Sequence, residues 1–207
     1  MIFDAVDHGA LALLFDRDEY PDYAGYKPDV LEAPNGDGNI DATKRYLHIA
    51  LKYNPPDWAL WYLARAHFEA CRIAEALGVP AEFYPKVENG TLRVLEYPAG
   101  AGSAEHTDFD LFTVHCYRST PEDFVINAED DIGARRQAAT IDPHVHIGDI
   151  GQEVGIGRAT RHFVPARPYP QKAIVYFAMP ANDARMPDGS RAIDWIADRY
   201  ARSRVYK

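Results

Sequence analysis

The chain has 207 residues, 47% hydrophobic and 26% charged, which is enough for one well-buried domain and too apolar for a disordered chain. Lys and Arg total 22 against 31 Asp and Glu, a net charge of −9 that speaks against nucleic acid or an anionic membrane as partner. No apolar run reaches the ~18 residues of a membrane span, Asp4 and Asp7 stand where a signal peptide is basic, and two cysteines make neither a disulfide framework nor a cysteine zinc site, so the expected location is the cytoplasm.

Residues 1–56 read as irregular. Segment 21–41 is rich in Pro, Gly and Asp and has little to bury, which makes it a surface loop and a candidate lid. Segment 43–53 reads as a short helix. Pro55 and Pro56 interrupt the chain, Asp57 is placed as an N-cap, and Leu63, Ala66, Ala70, Ile73 and Leu77 then recur at helical spacing. Gly78 and Pro80 close that stretch, so a supporting helix is expected over 57–78, packed on a sheet. His67 and Cys71 lie near its apolar stripe and are read as packing residues. After Pro80 come short runs rich in Val, Ile, Leu, Thr and Tyr, at 91–97, 111–117, 124–126, 144–147, 160–164 and 173–178. No helical pattern separates most of them, so 81–180 is expected to be an antiparallel β sandwich or barrel. A closing helix is expected over 191–204, with Ile193, Ile196 and Tyr200 on one face. The whole reads as a single domain, mainly β with flanking helices.

Eight histidines carry most of the chemistry on offer. In an extended chain positions i and i+2 point the same way. His106 and Asp108, in Glu105-His106-Thr107-Asp108, therefore aim an imidazole and a carboxylate at one point. One more histidine makes a two-His, one-carboxylate set that leaves coordination positions open and suits non-haem Fe(II). Three candidates compete for the third place on spacing alone. They are the His144-x-His146 pair, which alternates onto one face, His115 on the strand after the turn, and His162 in a β-prone run. Taken singly, the residues do not choose among them.

The order of the motifs is more specific than any one of them. Leu92-Arg93-Val94-Leu95-Glu96-Tyr97-Pro98, followed by Glu105-His106-Thr107-Asp108-Phe109-Asp110-Leu111-Phe112-Thr113-Val114, resembles the core of the isopenicillin N synthase-like family of Fe(II)/2-oxoglutarate oxygenases. Ile147-Gly148-Asp149 is similar to that family's Ile-Gly-Asp turn. Gly157–Val164 is similar to its distal-histidine motif, shortened by two residues. Ala173–Phe177 resembles its last core strand and Asp194–Ala197 its C-terminal helix. The resemblance covers roughly residues 60–204. It implies a double-stranded β-helix (jelly roll) with iron near one mouth, held by His106, Asp108 and His162. It further implies 2-oxoglutarate as cosubstrate, O₂ and a small molecule as substrates, and hydroxylation or desaturation as the outcome. His144 and His146 then become ordinary strand residues before the Gly-Asp turn, with a supporting hydrogen-bond role to the ligands as the lesser alternative. Tyr97 matches a tyrosine that helps bind the far carboxylate of 2-oxoglutarate. Phe109, Phe112, Tyr176 and Phe177 are candidates both for lining the pocket and for plain core.

The sequence departs from the family where that carboxylate is held. The family's Arg-x-Ser pair on the last strand is replaced by Gln171 and Ala173. Gln171 offers no charged, two-pronged donor. Lys172 is the nearest replacement if the strand carries a bulge, with Arg158 and Arg161 as other donors. Arg93 is set aside as a donor, because it shares a face with Tyr97 only if its strand runs undisturbed. These changes leave two other readings open: an oxidase of the isopenicillin N synthase type that needs no 2-oxoglutarate, and a jelly-roll binding module without catalysis. Phe163 stands where an Arg usually follows the distal histidine. The region before the supporting helix is short, so 21–41 and 119–140 are expected to wall the substrate pocket.

Overall fold

A computed structural model describes residues 3, 9–10, 26–30, 44–119, 124–126 and 145–203. Its larger sheet runs, in spatial order, β1 (Tyr26–Val30), β2 (Lys44–Ile49), β3 (Thr91–Tyr97), β9 (Gln171–Ala178), β5 (Phe112–Arg118) and β7 (Val145–Ile147). The smaller sheet runs β4 (Ser103–His106), β8 (His162–Val164) and β6 (Val125–Ile126). Every ladder among the described residues is antiparallel. From β3 onward successive strands alternate between the large sheet and the small one. That alternation winds the chain into a jelly roll, with the interior between the two sheets.

The large sheet is apolar on both faces, because it separates two cores. Leu47, Ile49, Leu92, Val94, Ile174 and Tyr176 face helix α1 (Asp57–Leu77), which lies across β9, β3, β2 and β5. Tyr46, Leu95, Tyr97 and Val175 face the barrel interior, where Val164, Ala173 and Phe177 pack against them. The helix buries Ala59, Leu63, Ala66, Ala70, Ile73, Ala74 and Leu77, a stripe broadened by two alanines that let it lie close to the sheet. Pro56 takes the N-cap position, and Asp57 is the first helical residue, where its charge suits the helix dipole. Gly78, at φ 67°, ends the helix in the left-handed conformation that glycine adopts without strain. His67 reaches from this helix to Tyr176, with Nδ1 2.9 Å from the buried hydroxyl. Gly90 makes room for that hydroxyl, since a Cβ there would lie 1.9 Å from it.

Several elements differ from the sequence-based expectations. Segment 44–49 is strand β2 rather than part of a helix, because Leu47 and Ile49 alternate with Tyr46 and His48 and each row finds a different core. Part of the expected loop 21–41 is β1, paired with β2. Ser103–His106 forms strand β4, outside the expected runs, and Asp149–Glu153 forms a short helix, α2. Tyr176 and fully buried Phe112 belong to the helix-side core, not to the pocket. The closing helix α3 spans Ala192–Ser203. Much of the proposed pocket walls, and His144, lie outside the described residues. No helix among the described residues is long and apolar enough to cross a membrane.

Leu63 is 1% exposed at the centre of the helix–sheet contact. Leu63→Ala is expected to lower the unfolding free energy by about 2–5 kcal/mol in denaturant titration, through lost burial and an incompletely collapsed cavity.

Candidate metal centre

The small sheet brings two histidines together by pairing them. His106, at the end of β4, lies directly across from His162, at the start of β8. Their imidazole centroids are 4.3 Å apart. Asp108, just past the strand end, turns its carboxylate to both. Oδ1 is 3.7 Å from His106 Nε2 and 3.8 Å from His162 Nε2. The ligating atoms of the three residues all lie within 4.8 Å of one another. His115 and His146 stand behind this group.

Each imidazole is locked in the tautomer a metal needs. His106 Nδ1 donates to the Ala104 carbonyl at 2.7 Å, and His162 Nδ1 to the Thr160 carbonyl at 3.0 Å. A carbonyl only accepts, so each Nδ1 carries the proton and each Nε2 keeps its lone pair. Burial, together with the His106 and His146 rings, holds His162 well below the ordinary 6.5. It is therefore neutral at neutral pH.

Asp108 divides its work between its oxygens. Oδ2 accepts from Thr113 Oγ1 at 2.5 Å and from His146 Nε2 at 2.8 Å. Burial opposes a charge here, but His162, the His146 hydrogen bond and His106 outweigh it and hold the carboxyl well below the usual range. The donor set is thus one carboxylate and two imidazoles, which fits a divalent ion of intermediate hardness with positions left open.

A polar network backs this carboxylate. Thr113 of β5 is the cross-strand partner of His146 of β7. With His146 Nε2–H given to Asp108, its Nδ1 must accept, and His115 Nε2–H donates to it at 3.2 Å. His115 Nδ1 is left as a buried lone pair with no hydrogen-bond partner. Burial, helped by His146 and Arg118, keeps that ring neutral. Asp110 Oδ2 lies 2.8 Å from the same Thr113 hydroxyl. One hydroxyl has one proton, and Asp108 receives it. Burial and the Asp108 charge push Asp110 well above the usual carboxylate range, which favours its protonated form, the form that donates to Thr113. Phe124 closes the network, its ring centroid 4.2 Å from His115, 4.9 Å from His162 and 5.4 Å from His146.

The Ile-Gly-Asp turn clamps the metal loop. Asp149 N–H donates to the Asp108 carbonyl at 2.7 Å, and Gly148 N–H to the Leu111 carbonyl at 3.1 Å. A Cβ on Gly148 would lie 2.1 Å from Asp110 Oδ1 and 2.3 Å from the Asp110 carbonyl, so only glycine permits this approach. Asp149 also meets Arg199 of α3 at 3.2 Å, which ties the closing helix to the site.

The expected cosubstrate contacts fare differently. Tyr97 and Gln171 are cross-strand partners and both are buried. The Gln171 amide nitrogen donates to the Pro165 carbonyl at 2.8 Å and the Ala101 carbonyl at 3.2 Å, so its donors are spent on backbone. Its Oε1 is buried without a hydrogen-bond partner. Lys172 stands opposite Glu96, in the row of β9 that continues to Ile174 and Tyr176 and faces α1. β9 runs there without a bulge against β3, so nothing turns Lys172 inward. Arg158 is exposed, and Arg161, also exposed, pairs with Glu105 at 2.6 Å. Arg93 does share the interior face with Leu95 and Tyr97, because β3 is regular. Its Nε donates to His48 Nε2 at 2.6 Å, and its guanidinium lies 4.6 Å from the Tyr46 ring centroid and 5.0 Å from that of Phe177. Sequence reasoning missed the parts played by Thr113, Asp110 and Phe124. The i, i+2 spacing of Thr113 and His115 on a strand was the one available signal.

Thr113→Val and His146→Leu each remove one bond to Asp108 Oδ2. Each is expected to weaken metal binding about ten- to a hundred-fold in anaerobic titration, with folding intact by circular dichroism.

The sequence matches no family model and no curated protein. Solved structures do match. A Shewanella oneidensis protein provisionally classed as an oxygenase aligns over 96% of this chain and 85% of its own, with a TM-score of 0.66 at 18% identity. JOX2, solved in complex with 2OG, Fe and JA, aligns over 95% of this chain and 73% of its own, with a TM-score of 0.57 at 14% identity. A rice dioxygenase for auxin oxidation aligns over 93% of this chain and 79% of its own, with a TM-score of 0.54 at 17% identity. With a jelly roll, a cross-strand pair of metal-ready histidines and a carboxylate between them, the chain has the fold of the Fe(II)/2-oxoglutarate oxygenases.

Proposed function

We propose that the protein is a non-haem Fe(II)- and 2-oxoglutarate-dependent oxygenase that hydroxylates or desaturates a small molecule. The observation that carries this reading is the convergence of His106 Nε2 and His162 Nε2 on one oxygen of Asp108, with both Nδ1 atoms committed to backbone carbonyls. Bound there, iron would let O₂ oxidise the keto acid to succinate and CO₂, and the second oxygen atom would supply the oxidising power that removes hydrogen from an unactivated C–H bond.

The chain's own residues supply position and dryness. His106, Asp108 and His162 would hold the ion by three protein ligands and leave the remaining positions to cosubstrate and O₂. Thr113 and His146 restrain Asp108, so the triad is already oriented before a metal arrives. Leu95, Val175 and Phe177 give the adjoining interior an apolar wall that keeps water from the reacting centre. Tyr97 stands on the same interior face.

The decisive experiment adds Fe(II), 2-oxoglutarate and O₂ to the purified protein and measures succinate, alongside the iron-to-keto-acid charge-transfer absorption under argon. Both signals are expected in the wild type. Both should be lost, by at least about a hundred-fold, in His106→Ala, Asp108→Ala and His162→Ala, as expected when a ligand is removed from an open three-ligand site. One observation favours a second reading: the Gln171 donors are spent on backbone. O₂ uptake with Fe(II) and a substrate but no keto acid would select an oxidase that draws its electrons from the substrate. Absence of any Fe(II) binding would return the protein to a jelly-roll binding module.

A further inference from the structure

We propose that Arg118 replaces the arginine missing from β9 and holds the far carboxylate of the keto acid; this rests on the reading above. The argument starts in the β5–β9 ladder. Phe112, Thr113, Val114 and His115 pair in step with Ala178, Phe177, Tyr176 and Val175, and then the register slips. Tyr117 stands opposite Ile174, and Arg118 opposite Ala173. An unbroken strand would put Tyr117 opposite Ala173 on the interior face and send Arg118 to the helix side. The bulge reverses this. Cys116 and Tyr117 both join the helix-side core, and Arg118 takes the interior position.

That position has three properties an anchor needs. First, it is level with Ala173, where the family's hydroxyl is absent, and two residues along β9 from Gln171, where the family's cation is absent. Second, it reaches back toward the metal centre. The Arg118 guanidinium lies 5.3 Å from the Phe124 ring centroid, and that ring is 4.9 Å from His162. Only one ring separates the cation from a metal-ligating imidazole. Third, the span is right. Ala173 lies four residues along β9 from Phe177, the partner of Thr113, which is roughly 13 Å of strand. A metal-bound five-carbon dicarboxylate and an arginine reaching toward it cover that distance together. Gln171 cannot compete, because its unpartnered Oε1 repels a carboxylate and its amide nitrogen is committed. Arg93, on the interior face of β3, lies on the far side of β9, with its Nε given to His48 and its faces against Tyr46 and Phe177.

The test is binding, measured apart from turnover. Anaerobic Fe(II)-loaded protein is titrated with 2-oxoglutarate, and in parallel with 2-oxobutyrate, which lacks the far carboxylate, following charge-transfer absorption and calorimetric heat. Arg118→Ala is expected to weaken 2-oxoglutarate roughly ten- to a hundred-fold, as for loss of a charge-assisted hydrogen-bond pair, and to leave Fe(II) and 2-oxobutyrate binding as in the wild type. Arg118→Lys should recover part of the loss, because it restores the charge without the fork. Arg93→Ala should leave 2-oxoglutarate affinity within a few-fold. If Arg118→Ala and Arg118→Lys both bind 2-oxoglutarate as the wild type does, or if Arg93→Ala produces the selective loss instead, the assignment of Arg118 is wrong while the oxygenase reading stands. If the wild type binds Fe(II) but not 2-oxoglutarate, the cosubstrate reading falls and takes this inference with it.

Discussion

One carboxylate organises the site, and its two oxygens have separate duties. Asp108 Oδ1 faces the two imidazoles, while Oδ2 is held by Thr113 and His146. A buried anion is costly unless its lone pairs are filled, and here donors from β5 and β7 fill them. The residues that hold Asp108 therefore come from the large sheet, and its histidine neighbours from the small one. The carboxylate fastens the two sheets together. Packing of the two sheets and readiness of the metal site are consequences of the same bonds.

The network behind Asp108 is ordered by proton counting. The hydroxyl proton of Thr113 and an N–H of His146 both point at Oδ2, with Asp110 and His115 standing further back against the same two groups. Burial raises Asp110 and lowers His115, which disfavours charge on either and leaves it to the residue that would meet a cation. The turn at Gly148 completes this order by bringing backbone amides against the loop that carries the carboxylate, an approach any side chain would block.

Some of this was legible from residues alone. The stripe of Leu63, Ala66, Ala70, Ile73 and Leu77 marks a helix because an α-helix must bury one face, and Gly78 ends it where a left-handed residue was needed. β2 was not legible. Its alternation serves two different cores, so apolar residues occur at both parities and imitate a helix. The His106-x-Asp108 spacing stated a direction in space, yet spacing left three histidines in contention for the third place. The motif order favoured His162. The structure brings His162 to Asp108 because it is the cross-strand partner of His106, and a pairing between β4 and β8 is not written in either segment.

By itself, the sequence determined the kind of object this is: an acidic, β-rich chain with a long amphipathic helix and a small stock of histidines and carboxylates. Periodicity and composition report such things because they depend only on near neighbours along the chain. Tertiary structure alone decided which imidazole stands beside Asp108, that His146 supports the site from behind, and that Arg118 rather than Lys172 faces inward. Each of these turns on register between strands distant in sequence, where a slip of one residue carries a side chain to the opposite face of the sheet.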